Sequence, residues 1–74
     1  MSSMKATLDP VEFGAEISSA VNFAGISIRQ AAKAANVDQA TFYRAMTGKT
    51  PSAATYVAIR AWLDGIRAAV RGGN

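Results

Sequence analysis

Apolar side chains recur along this chain at intervals of three and four, and no stretch alternates strictly, so the pattern predicts helices and no strand. Val11, Phe13, Ile17, Ala20, Val21 and Ala24 form the first such series. Asp9 precedes it as a capping residue, Pro10 takes the first helical position, Glu12 falls in the first turn and Gly25 stops it. Ser27, with Gln30 three residues on, makes a capping-box pattern that opens a second helix, IRQAAKAA. Its Ala31, Ala32 and Ala35 give a small-residue face that permits close helix contact. Asn36-Val37 breaks that helix, asparagine being tolerant of a left-handed backbone. Asp38 caps a third helix at once, so the turn between helices two and three spans only about three or four residues. The third helix ends at Thr47-Gly48, and Pro51-Ser52 starts a fourth after a short loop. The fourth carries Ala53, Tyr56, Ile59 and Leu63 as apolar positions, with Trp62 nearby. Asp64-Gly65 then reads as a break or a kink, with Ile66, Ala69 and Val70 in a continuation or a fifth short helix.

One stretch resists reading as core. DQATFYRAMTGK, residues 38–49, places Gln39, Ala40, Tyr43 and Arg44 on one helical face and only Phe42 and Ala45 on the other. A short helix with a polar front and a thin apolar back looks like a helix held out to touch a partner.

Charge sharpens this. Residues 1–25 set Lys5 against Asp9, Glu12 and Glu16, a net of −2. Residues 26–63 set Arg29, Lys33, Arg44, Lys49 and Arg60 against Asp38, a net of +4. The positive charge therefore surrounds the third helix, the footprint expected for a polyanionic partner. Composition narrows the rest. The 74 residues make one domain, near the size at which a single core suffices. Half are apolar, but many of those are alanine, so the core is thin and the helices sit close. Histidine and cysteine are both absent, which removes the usual zinc and nucleophile–base constellations and any disulfide, and implies a reducing compartment. Glu12 and Glu16 lie one turn apart but read as a solvated face near a helix N-terminus, not an acid–base pair. The expectations are therefore no enzyme activity, no metal and no cofactor. There is no secretory pattern and no apolar run long enough for a bilayer, so the expected compartment is the cytoplasm.

Two short helices joined by a tight turn, the first lined with alanine, form a helix-turn-helix pattern. From Ile26 to about Leu63 the chain resembles the lambda-repressor-like, Cro/C1-type helix-turn-helix domain of phage and bacterial regulators. The features that carry the resemblance are the Ser27 cap, Ala32, the turn at Asn36-Val37, Phe42, Gly48-Lys49, Pro51-Ser52 and Leu63. Asn36 stands where the family's turn usually has glycine. Ile28 stands where many members carry a phosphate-binding glutamine, and Ala31 where a larger aliphatic residue is common.

The resemblance implies an all-α, compact four- to five-helix bundle over residues 9–71; the polar, aperiodic residues 1–8 read as a flexible arm and 72–74, Gly-Gly-Asn, as a disordered tail. It implies a sequence-specific transcription regulator of double-stranded DNA in a bacterial cytoplasm or nucleoid. At this length the expectation is a small Cro-like repressor of phage type, not a repressor with a sensor domain. The third helix, about 38–47, enters the major groove. Gln39 and Arg44 read adenine and guanine, while Ala40 and Tyr43 meet a thymine methyl or the backbone. Ser27, Arg29, Thr41, Thr47, Lys49 and Thr50 hold phosphates, joined by backbone amides at the start of helix two. The partners are a DNA operator and a homodimer, formed free or only on DNA, with Trp62, Ile66 and Val70 as its candidate face; no membrane or small-molecule ligand is expected. Lys33 reads as solvated and Met46 as core filler. The competing reading is an antitoxin or protein-binding adaptor that uses the same helical fold.

Overall fold

The structure, a computed structural model, describes residues 8–72. Four helices follow in order: α1 (Pro10–Ala24), α2 (Ile28–Ala35), α3 (Gln39–Met46) and α4 (Ala53–Gly72), with no strand among the described residues. Each boundary has a local cause. The Asp9 carboxylate accepts from the amides of Val11 and Glu12 at 3.1 and 3.2 Å, satisfying donors that α1 leaves free at its start. Gly25 closes α1 in a left-handed conformation, its amide donating to the Val21 and Asn22 carbonyls. The Ser27–Gln30 box forms in both directions: the Gln30 amide donates to Ser27 Oγ, and the Ser27 amide to Gln30 Oε1. Asn36 ends α2 at φ 63°, and the Val37 amide donates to the Ala32 carbonyl at 2.9 Å, which turns the chain sharply into α3.

The core is thin, as the alanine content implies. Phe13, Ile17, Phe42 and Ile59 are its large fully buried side chains, and Ala31, Ala32, Ala35 and Ala45 fill the space where helices cross. Met46 packs against this cluster partly buried, and so does Val37. Trp62 meets Phe42 edge-on, with ring centroids 5.5 Å apart, so its indole belongs to the core side of α4.

Helix α1 approaches the end of α3 closely at Gly14. A Cβ there stands 2.6 Å from the Met46 carbonyl oxygen and 2.9 Å from that of Ala45. Only glycine lets α1 lie this close to the end of α3. The periodicity of α1 gives no sign of this, because glycine carries no apolar mark.

Several expectations are corrected. Val11 lies on the predicted apolar series yet is 70 % exposed, its side chain standing beside the Gly48 turn and outside the core that Phe13, two residues on, enters. Ala53 is likewise exposed, on a turn of α4 that precedes its first core contact at Tyr56. Asp64-Gly65 neither breaks nor separates a fifth helix. Buried Leu63 and half-buried Ile66 pack on either side of it, and Arg67 is tied to α1, so α4 runs through. Leu8, assigned to the arm, packs partly buried against the core, and Gly72, assigned to the tail, is the last residue of α4. The remainder of the expected arm and tail, residues 1–7 and 73–74, lies outside the described residues.

Arg60 also changes role. Counted with the central positive charge, it instead grips Glu16 of α1 through both guanidinium nitrogens at 3.1 Å, and Arg67 adds a third contact at 3.1 Å. Arg60 also covers the rings of Phe13 and Tyr56, at 5.3 and 5.5 Å from their centroids. The hydrogen bonds from Arg60 hold the Glu16 carboxyl below its usual pKa, and Glu16 in turn raises that of Arg60. This charge ties α4 to α1 and is not offered to a partner.

Candidate nucleic-acid interface

The outward helix is α3, and its two faces separate cleanly. Phe42 and Ala45 are buried against the core, three residues apart and hence on one side. Gln39, Ala40, Tyr43 and Arg44 are exposed on the other. Tyr43 leaves 52 % of its surface to solvent. Asp38 fixes where the helix starts by accepting from the Ala40 and Thr41 amides at 3.1 and 3.4 Å. Both capping bonds use the same carboxylate oxygen, Oδ2, at the end of the helix.

The end of α3 is set by Gly48, at φ 98°, a conformation costly for residues with a Cβ. This turn folds the chain back so that the Lys49 amide donates to the Arg44 carbonyl at 3.1 Å. Lys49 is thereby held beside Arg44. The two line a cleft of about 220 Å³ with the hydroxyl-bearing residues Thr41, Thr50, Ser52 and Thr55. Arg44 Nη2 reaches Thr41 Oγ1 at 3.5 Å, a long contact that leaves most guanidinium donors unused. Ser52 Oγ accepts from the Thr55 amide at 3.2 Å and donates to Thr55 Oγ1 at 3.0 Å, leaving the Thr55 hydroxyl its own hydrogen to give.

A second cleft, of about 370 Å³, flanks the start of α3. Arg29, Lys33, Asn36, Asp38 and Gln39 line it. Lys33, read as simply solvated, therefore shares a concavity with Gln39 and Arg29. Each of the two clefts thus carries more positive than negative side chains: Arg44 and Lys49 in one, Arg29 and Lys33 with Asp38 in the other.

These clefts bring together six of the ten expected contact residues: Gln39 and Arg29 in one, and Thr41, Arg44, Lys49 and Thr50 in the other. Ala40 and Tyr43 stand on the helix face between. Ser27 is exposed at the start of α2; its Oγ accepts from Gln30, and its own hydrogen remains free to donate. The Ser27 and Gln30 amides are already used by the capping box, which removes them from the set of backbone donors there. Thr47 lines neither cleft, and its hydroxyl donates to the Arg44 carbonyl at 2.9 Å, so its single hydrogen serves the end of the helix. Ser52 and Thr55 were missed from sequence. Their signal was present, a hydroxyl pair three residues apart at a helix start, but it reads as a cap until Lys49 and Arg44 are seen beside it.

No protein-family model, no curated protein and no solved structure matches the chain. The residues and their geometry are therefore what bears on function. Among the described residues no helix is long and apolar enough to cross a membrane.

Proposed function

We propose that the protein is a sequence-specific double-stranded DNA-binding regulator of transcription, with α3 as the helix that enters the major groove. The observation that carries this reading is the division of α3: Gln39, Ala40, Tyr43 and Arg44 carry none of the core, while Phe42 and Ala45 anchor the helix from behind. Gln39 and Arg44 are the base readers, since glutamine pairs bidentately with adenine and arginine with guanine. Ala40 and Tyr43 supply apolar contact between them. Arg29 and Lys33 on one side, and Lys49, Thr50, Ser52 and Thr55 on the other, meet the phosphates that border the groove. The resemblance to Cro-like repressors supports the same reading, and a bacterial cytoplasm or nucleoid is its setting.

Selection of bound sequences from a random duplex pool tests it. A defined motif should emerge, and affinity for random duplex should fall steeply with salt as phosphate contacts release counterions. The adaptor or antitoxin reading draws on a separate feature, an apolar groove between α1 and α4. Binding that is indifferent to salt and yields no motif would favour it.

A further inference from the structure

Capping the start of α3 uses only half of the Asp38 carboxylate. Oδ2 accepts from both the Ala40 and the Thr41 amides, while Oδ1 has no hydrogen-bond or ion-pair partner among the described residues. The side chain is exposed. It borders the cleft that holds Arg29, Lys33 and Gln39, and also a second hollow lined by Thr41, Ala54 and Thr55. Two cations thus share a cleft with this carboxylate, yet neither Arg29 nor Lys33 pairs with it. The cap does not require the charge, since asparagine and serine cap a helix about as well as aspartate. At the tip of a helix that approaches a polyanion, a carboxylate is the one common capping group that phosphates repel. It suits that place where a donor on the nucleic acid meets its spare oxygen in a charge-assisted hydrogen bond. The N-terminal residues of a recognition helix are the ones that reach base edges.

We infer that Asp38 is a third base reader, its Oδ1 accepting from the exocyclic amino group of a cytosine in the major groove. The inference rests on the DNA-binding reading of α3 and adds one base pair to it. The pattern of the groove selects cytosine. There cytosine presents a donor alone, at N4. Guanine presents two acceptors, thymine an acceptor and a methyl group, and adenine an N7 acceptor beside its N6 donor. An ionised carboxylate only accepts, so each of those acceptors repels it. Asp38 precedes Gln39, which places the cytosine at the Gln39 end of the site, away from Arg44.

An asparagine at this position provides the test. Its single oxygen is the atom able to accept from the Ala40 and Thr41 amides, so capping puts its NH2 where Oδ1 stands and turns an acceptor into a donor. Sequences selected from a random duplex pool by the wild-type chain should carry cytosine at a position next to the one that Gln39→Ala relaxes. Asp38→Asn should exchange that cytosine for an acceptor-bearing guanine or thymine and leave the rest of the motif unchanged. Asp38→Ser, whose one side-chain oxygen is taken by the cap, should leave the position undetermined. Competition between duplexes that differ at this base pair alone should show a wild-type preference of about tenfold, lost in Asp38→Ser and reversed in Asp38→Asn. At fixed salt both variants should bind random duplex about twofold more tightly, because one negative charge leaves the interface. Thermal unfolding of both should stay close to that of the wild type, since the cap is kept. A residue that only capped would give weaker binding to every duplex and no exchange of base. A wild-type motif without that cytosine overturns the inference, as does a motif that both variants leave unchanged, and in either case the reading by Gln39 and Arg44 stands. No motif at all from the wild type overturns the DNA reading and this inference with it.

Discussion

Replacing Gly14 by alanine should destabilise the protein, although alanine is the better helix former by about 1 kcal/mol. The added methyl would meet two carbonyl oxygens at the end of α3, at 2.6 and 2.9 Å, and the Gly48 amide nitrogen at 3.2 Å. All three are backbone atoms and have no rotamer by which to withdraw. Carbon and oxygen at ordinary closest contact stand about 3.3 Å apart, so α1 and α3 must separate by roughly 0.7 Å. A gap of that order forfeits about a quarter to a half of each dispersion contact along the crossing, and overpacking of a filled core costs about 1–3 kcal/mol. After the gain in helix propensity, a net loss of up to about 2 kcal/mol is expected, or a fall in Tm of up to roughly 16 °C for a domain this small. Gly65 supplies the control. It too lies inside a helix, but a Cβ there meets nothing within 4 Å, so Gly65→Ala should raise stability by about 0.5–1 kcal/mol. Thermal and urea unfolding followed by far-ultraviolet circular dichroism measures both. Should Gly14→Ala prove as stable as the wild type, or the two variants shift in the same direction, α1 does not cross α3 at Gly14.

Arg44→Ala should cost about 1–3 kcal/mol at the selected site and relax preference at one base pair, and Gln39→Ala should do so at another position nearer the start of α3; competition between cognate and scrambled duplex at fixed salt measures this, and unchanged preference in both would remove α3 as the reader. Lys49→Ala should weaken all duplexes alike and reduce the slope of log affinity against log salt by about one, whereas a loss confined to one sequence would make Lys49 a base reader. Glu16 has a depressed carboxyl pKa, chiefly through its hydrogen bonds from Arg60, so the stability it contributes is complete above the unfolded carboxylate value of about 4.3 and is lost as pH falls through the lower folded value. Tm should therefore drop more steeply in acid for the wild type than for Glu16→Gln, and equal acid limbs would dismiss the Glu16–Arg60 pairing as a source of stability.

Most of what builds the helix-turn-helix could be read from the sequence, because it is local. A cap needs one side chain within three residues of the amide it serves, so Asp9, Ser27 and Asp38 announce their helices. Asn36 marks its own left-handed turn, and the spacing of Phe42 and Ala45 separates the faces of α3. What the sequence hid depends on partners distant along the chain. Arg60 looked like free positive charge because Glu16 lies 44 residues away. Val11 fell on an apolar series whose other members enter the core while it does not, since periodicity gives a direction and not a neighbour. Asp64-Gly65 carried a genuine local cost, and long-range packing of Leu63, Ile66 and Arg67 outweighed it.

The separation of α3 into an anchored back and an unburdened front has a consequence for how such a protein changes over time. Substitutions at exposed positions free of packing usually alter stability by less than about 0.5 kcal/mol. Gln39, Ala40, Tyr43 and Arg44 can therefore be exchanged with little penalty to folding, while Phe42, Ala45, Asn36 and Gly14 are held by contacts and backbone geometry. If α3 is the reading helix proposed above, descendants of this chain are free to drift in what they recognise without drifting in shape, and a library randomised at those four positions should retain folding in most members while scattering their preferences.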